Sequence, residues 1–256
     1  MIFPHYFHLF GQSFHPHPTM ELIAYSGGYQ IFMLLRRRHR RLFPDRPFVS
    51  FEKNMWIIVG AIFGALVGSK LLAWAESPSE YFANFPDWQR LIGGKTIVGG
   101  LLGGWVGVEI AKKIVGIKHA TGDLYVIPLI FGMAVGRVGC FLTGLSDQTY
   151  GLHTALPWAI NFGDGPRHPT QFYDIVFLAL FGSILHLSIK PKPAGYLFRV
   201  FMIGYLLYRF ASEFIKPRDF RVIGLSSIQW ACLISAIFIL VRLRRMDQQQ
   251  LTPRVS

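Results

Sequence analysis

The chain has 256 residues, 52% hydrophobic and only 16% charged, with 26 Lys and Arg against 14 Asp and Glu and a formal net charge of +12. A soluble domain carries about 25% charged residues, so this composition excludes an ordinary soluble fold, and several apolar runs approach the ~20 residues that cross a bilayer. The positive balance does not indicate a nucleic-acid partner, because the basic residues punctuate apolar runs instead of gathering on one patch. Cys140 and Cys232 both lie in apolar segments and offer neither a disulfide framework nor metal-ligand spacing, so no metal and no cofactor are expected.

In chain order, the N-terminal stretch MIFPHYFHLFGQSFHPHP interleaves His5, His8, His15 and His17 with aromatics. It has no basic region ahead of an apolar core, as a cleaved signal peptide would. The irregular histidine spacing and the lack of carboxylates favour an interfacial segment over a metal site. Seven membrane spans are expected at roughly 19–35, 54–75, 91–111, 123–144, 169–189, 194–213 and 226–243, in a single transmembrane domain covering 1–256. The RRRHRR run after the first span reads as a stop-transfer and headgroup anchor. The connection 145–168 is rich in Gly, Pro, Asp and Asn and reads as a long outer loop, with Trp158, Ile160 and Phe162 placed to rest on the membrane surface.

The positive residues fall mostly on alternate connections. One side receives Arg36, Arg37, Arg38, Arg40, Arg41, Arg46 and Lys53, then Lys112, Lys113 and Lys118, then Lys190 and Lys192, then Arg242, Arg244 and Arg245. The other receives only Arg90, Arg167, Lys216, Arg218 and Arg221. The positive-inside rule puts the N-terminus outside and the C-terminus in the cytoplasm. The fold class expected is therefore all-α, a polytopic integral membrane protein of seven helices.

Ionisable residues within spans are expensive and need a partner or a task. Among those within the runs are Lys70, Lys95, Glu109, Arg137, Asp174, Arg199, Arg209 and Glu213. Lys70 and Arg199 have a structural reading, snorkelling or local pairing. Arg137, Arg209 and Lys95 fall in the outer half of their spans, level with Tyr25 and Tyr29 of the first span and with His168, Gln171 and Tyr173 at the start of the fifth. Tyr25 and Tyr29 also fit an aromatic belt, and Glu213, one turn after Arg209, fits a simple ion pair. Gly132, Gly136 and Gly139 flank Arg137 and permit close approach of a backbone or a headgroup. Glycines 99, 100, 103, 104 and 107 allow tight helix packing, a cavity wide enough for a lipid, or both. Arginine suits phosphate, because its planar fork binds in a bidentate way and keeps its proton. The phosphates at this depth belong to phospholipid headgroups, so the residues alone predict anionic-lipid binding at the outer face.

The stretches AYSGGYQ, GGKTIVGGLLGG, GRVGCFLTG, RHPTQFYD and YRFASEFIKPRD, in that order, together resemble one family, the prolipoprotein diacylglyceryl transferases of bacterial inner membranes. AYSGGYQ at 24–30 is similar to the family's first span, and GGKTIVGGLLGG at 93–104 to its Gly-rich segment. GRVGCFLTG at 136–144, with Tyr150 and Gly151 after it, resembles the signature Gly-Arg-x-Gly-Asn-Phe-x-Asn-Gly-Glu. RHPTQFYD at 167–174 is similar to Arg-His-Pro-Ser-Gln-Leu-Tyr-Glu and is the most specific match; YRFASEFIKPRD at 208–219 resembles the family's Arg-Phe-x-x-Glu-Phe-x-Arg stretch. The resemblance implies transfer of a diacylglyceryl group from phosphatidylglycerol to the cysteine thiol of a prolipoprotein signal peptide, forming a thioether at the periplasmic side. It implies that Arg137 and Arg209 hold the lipid phosphate and stabilise charge on the leaving glycerol phosphate, a large catalytic term in such sites. It places Tyr25, Tyr29, Gly99, Gly100, Gly136, Gly139, Cys140, Thr143, Gly151, His168, Gln171, Tyr173 and Glu213 around the substrates.

The chain departs from the family pattern at particular places. Val98 stands where a histidine usually precedes the second Gly-Gly pair, Cys140 and Thr143 stand at the two asparagines, and Leu145 stands at the acid. Lys95 is a candidate replacement base if burial lowers its pKa. A second reading therefore stays open: a non-catalytic homologue that binds anionic phospholipid or signal peptide.

Overall fold

The computed structural model describes residues 3–9, 11–42, 49–82, 88–187, 193–218 and 221–251. Arg46, Lys190 and Lys192, counted above among the inner-side charges, lie outside the described residues. The elements in order are β1 (Phe7–Leu9), β2 (Gln12–Phe14), α1 (Pro16–Leu42), α2 (Phe51–Glu76), α3 (Pro78–Phe82), α4 (Trp88–Gly93), α5 (Ile97–Ile114), α6 (Val126–Thr143), β3 (Ile160–Asn161), β4 (Pro166–Arg167), α7 (Thr170–Leu187), α8 (Tyr196–Ser212) and α9 (Ser227–Leu251). The strands form two antiparallel hairpins, β1 with β2 and β3 with β4.

Each of the seven apolar runs holds a helix, but the limits move most in three of them: the first, the run 91–111, and the last, where α9 continues to Leu251. α1 starts at Pro16, where a missing N–H costs nothing, and continues through the basic run. Its last turn holds His39, Arg40 and Arg41, which suit the negative end of the helix dipole. The run 91–111 is two helices, not one. Lys70 Nζ donates to the carbonyls of Ile92 and Gly94, and Ser69 Oγ accepts from Thr96 N–H at 2.9 Å. These side chains of α2 satisfy the backbone where the helix breaks, so Lys70 has a structural task.

Among the described residues, four stretches are long and apolar enough to cross a membrane: Phe51–Glu76, Gly122–Asp147, Thr170–Leu187 and Ser227–Arg244. α8 has 17 residues, about 26 Å at ~1.5 Å per residue, and α5 ends in Lys112 and Lys113.

The chain forms two compact units, and their boundary falls within α8. The first comprises Met1–Arg46, Thr121–Phe201 and Phe214–Pro217. In it α1 packs along α6, and α6 along α7. Asp123 caps the start of α8: its two oxygens accept the N–H groups of Gly195 at 2.7 Å and Phe198 at 2.9 Å. α6 ends at Gly144, whose φ of 74° a side chain rarely adopts, and Phe3 fills the space beside it.

The second unit comprises Pro47–Ala120, Met202–Glu213 and Arg218–Ser256. α2 and α5 pack through glycines. A Cβ on Gly60, Gly64 or Gly68 would run into the backbone of Gly107, Gly103 or Gly99, and the reverse holds. Away from that seam α2 exposes Val59, Ile62, Phe63 and Leu66, which suits a hydrocarbon surround. α9 starts with a capping box, in which Ser226 N–H donates to Gln229 Oε1 at 2.9 Å and Gln229 N–H to Ser226 Oγ at 3.2 Å.

Candidate active site

In the first unit Arg137 is buried on α6, and its Nε lies 2.7 Å from Asp174 Oδ2 on α7. Its Nη1 donates to Cys140 Sγ at 3.7 Å, one turn along α6. The sequence reading gave Arg137 a phosphate partner; the protein itself supplies a carboxylate. A buried charge demands such a partner, because the cost of leaving it bare is several kcal/mol. Asp174 closes the stretch RHPTQFYD and sits one turn after Gln171, so the two share a face of α7. Gln171 is fully buried, and neither atom of its amide finds a hydrogen bond among the described residues.

The start of α7 carries a second polar group. Tyr173 Oη accepts from Trp158 Nε1 at 2.8 Å and lies 3.2 Å from His168 Nδ1. Tyr173 and Trp158 help line an apolar cavity of about 710 Å³, with Phe141, Ile160, Phe172, Val176 and Phe177 among its other walls. The 145–168 connection is folded as well as long: His168 N–H donates to Leu152 O and Gly151 N–H to His168 O, both at 3.0 Å. Gly151 is a packing glycine here, because a Cβ would press on His168. Arg167 engages Asp164 through Nε at 2.9 Å and Nη2 at 2.6 Å, and this pairing holds the Asp164 carboxyl below the usual range.

The glycines around Arg137 divide. Gly136 faces open space, which a ligand can enter, whereas Gly139 lies against α1, where a Cβ would come within 2.9 Å of Met20 Cβ. Thr143 bonds back to its own helix, Oγ1 to Gly139 O at 2.8 Å. Tyr25 and Tyr29 are exposed on α1.

In the second unit Arg209 is buried and pairs with Glu213 one turn on. Glu213 also accepts from Arg218 at 2.7 Å, and Arg218 Nε lies 3.1 Å from Glu76 Oε1. Glu76 Oε2 takes the Ile228 N–H at 3.0 Å, which fixes the start of α9. Sequence reasoning assigned Glu213 to the site but missed Glu76 and Arg218; the acid at the end of α2 gave no signal by itself. Gly99 is packed against Gly68, so the tight-packing reading accounts for it, while Gly100 has only ordinary contacts with Ala65 and Ser69. Val98 is buried. Lys95 corrects the sequence reading, since it lies in the connection between α4 and α5 with its side chain exposed. The burial on which a base role rested is absent.

The family model of the prolipoprotein diacylglyceryl transferases matches residues 4–245. The chain belongs to that family. It is 36% identical over 203 residues to the phosphatidylglycerol–prolipoprotein diacylglyceryl transferase of Polynucleobacter asymbioticus, covering 73% of this chain and 74% of that protein. The identically named proteins of Aromatoleum aromaticum and Idiomarina loihiensis are 29% identical over 255 residues and 30% over 240. Those matches cover 85% and 87% of this chain and 92% and 87% of the relatives. Family membership and the apolar helices together make this a multi-pass membrane protein.

Proposed function

We propose that this protein transfers the diacylglyceryl group of phosphatidylglycerol to the lipobox cysteine thiol of a prolipoprotein. The thiolate sulfur attacks the glyceryl carbon, the bond from that carbon to the phosphate oxygen breaks, and glycerol phosphate leaves with the electron pair. The thiol proton departs to solvent or to the leaving phosphate. The relatives' names support both substrates. The observation that carries the reading is the buried polar face joining α6 and α7: Arg137, oriented by Asp174, and the Gln171 amide with its hydrogen-bonding capacity unspent. A buried amide without a partner costs about 1–3 kcal/mol, a cost that a polar headgroup removes. Gly136 leaves room for that headgroup, and the apolar cavity beside Tyr173 suits an acyl chain or the apolar core of a signal peptide.

Arg137 is assigned the phosphate, with Asp174 setting its orientation. Arg209 and Glu213 keep the roles implied by sequence resemblance, which variants of each test separately. His168 and Tyr173 border the substrate, and Cys140 and Thr143 line its approach. The charge asymmetry of the connections supports seven spans in one domain, the N-terminus outside, and a site facing the periplasm.

The test is a reconstituted assay with phosphatidylglycerol vesicles and a lipobox-cysteine peptide, reading glycerol phosphate release and peptide mass. Arg137-dependent release with a lipidated peptide is expected. A second reading has its own support: Thr143 bonds back to its helix and Cys140 is engaged by Arg137, so neither offers the amide of the family pattern. Vesicle binding that depends on Arg137, with no release, establishes that non-catalytic reading.

A further inference from the structure

We propose that His17, Cys140 and Asp147 form a binding site for a thiophilic divalent cation of the zinc class. The three side chains come from the first turn of α1, the last turn of α6 and the 3-10 turn Gly144–Asp147 that follows it. One ligand atom of each lies within 4.8 Å of the others. His17 Nδ1 and Asp147 Oδ1 are 3.0 Å apart, yet Nδ1 makes no aligned hydrogen bond. A tetrahedral zinc, with bonds of about 2.0–2.2 Å to nitrogen and oxygen, holds its ligand atoms roughly 3.4 Å apart.

The groups behind these atoms are those a metal site needs. His17 Nε2 lies 3.3 Å from Glu21 Oε1, the carboxylate–histidine arrangement that orients a metal-bound imidazole. Asp147 Oδ2 accepts from Thr149 Oγ1 at 2.7 Å, which leaves Oδ1 turned toward His17. Gly139 brings α1 close enough, since a Cβ there would come within 3.3 Å of His17 Cα. Thiolate and carboxylate together balance a dication, and the neighbouring Arg137 charge is met by Asp174. A nitrogen, sulfur and oxygen donor set selects zinc over magnesium or calcium, which take oxygen ligands. Three protein ligands leave a fourth position open. Spacing along the chain does not reveal the cluster, because the thiol and the carboxylate lie far from the N-terminal histidines.

The test is the metal content of the detergent-purified full chain, carrying an affinity tag without histidines, after equilibration with buffered zinc. The wild type is expected to hold about one zinc per chain, as a three-ligand site should. Cys140→Ser and Asp147→Asn lose it while keeping their helical circular dichroism. Cobalt in place of zinc gives a thiolate-to-cobalt charge-transfer band that Cys140→Ser lacks. Glu21→Gln keeps all three ligands and weakens zinc binding about tenfold; it carries the test if Cys140→Ser does not fold, and unchanged affinity then overturns the proposal. Zinc well below one per chain in the wild type, zinc retained by Cys140→Ser, or cobalt bound without the thiolate band also overturns it. In the first of those cases His17 and Asp147 form an ion pair beside a thiol and nothing more.

Discussion

Arg137 in the first unit reaches from α6 to Asp174 on α7. Arg209 in the second reaches one turn along its own chain to Glu213, which Arg218 shares and which Arg218 links on to Glu76. Both arginines are buried, and both meet a carboxylate, but the first pair closes a helix interface while the second belongs to a chain of four charges. Losing Asp174 removes an ion pair that joins two helices. A shared carboxylate spreads the loss.

The sharpest test removes Asp174. Asp174→Leu should cost about 3–5 kcal/mol in detergent unfolding, because Arg137 is left buried without its ion pair. Arg137→Met combined with Asp174→Leu should recover most of that, since a buried pair replaced by apolar groups is often neutral. Transfer activity should stay lost in the double variant if phosphate is held by Arg137. A double variant no more stable than the single one would break the comparison, because Arg137 would then depend on more than one carboxylate. Arg218→Ala comes next. It removes hydrogen bonds to charged groups, about 1.5–3 kcal/mol, yet leaves Glu213 with Arg209, so its unfolding free energy should fall by less than that of Asp174→Leu.

The sequence made the helices legible for a physical reason, since apolar runs of bilayer length have few other uses. It made Arg137 and the RHPTQFYD stretch legible because charge among glycines or next to proline stands out. It did not show that Asp174 is Arg137's partner, as pairing across helices depends on rotation about both axes. Glycines 99, 103 and 107 announced close packing, but the matching ladder at 60, 64 and 68 became visible only in the fold. Lys95 misled because a Gly-Gly pair inside an apolar run was read as helix, while Lys70 and Ser69 hold it open as a connection.

A smaller effect is expected at the edge of the apolar cavity. Tyr173→Phe removes the hydroxyl shared by Trp158 and His168. Trp158 is exposed enough for water to take over its N–H, so the loss should sit at the low end of about 0.5–1.5 kcal/mol. Tryptophan fluorescence should shift toward the red as Trp158 gains that water. A loss well above that range would mean that the Tyr173 hydroxyl anchors the loop to α7.

Asp164 and Arg167 complete the series at its exposed end. Arg167 grips Asp164 with two nitrogens, but it also donates to Gly151 O at 3.1 Å and lies over the Tyr150 ring at 4.6 Å. Asp164→Asn therefore leaves Arg167 placed, and the change should be the smallest of the four. Its sign with pH follows from the hydrogen bonds from Arg167, which hold the folded-state pKa of Asp164 below its unfolded value. The stabilisation is present above the ordinary carboxylate range near ~3.9 and is lost as pH falls through the folded value. The difference in melting temperature between wild type and Asp164→Asn should be slight at neutral pH and close in acid. A difference that persists in acid would assign Asp164 to turn geometry, where Asn fits less well, and would remove charge from the exposed end of the comparison.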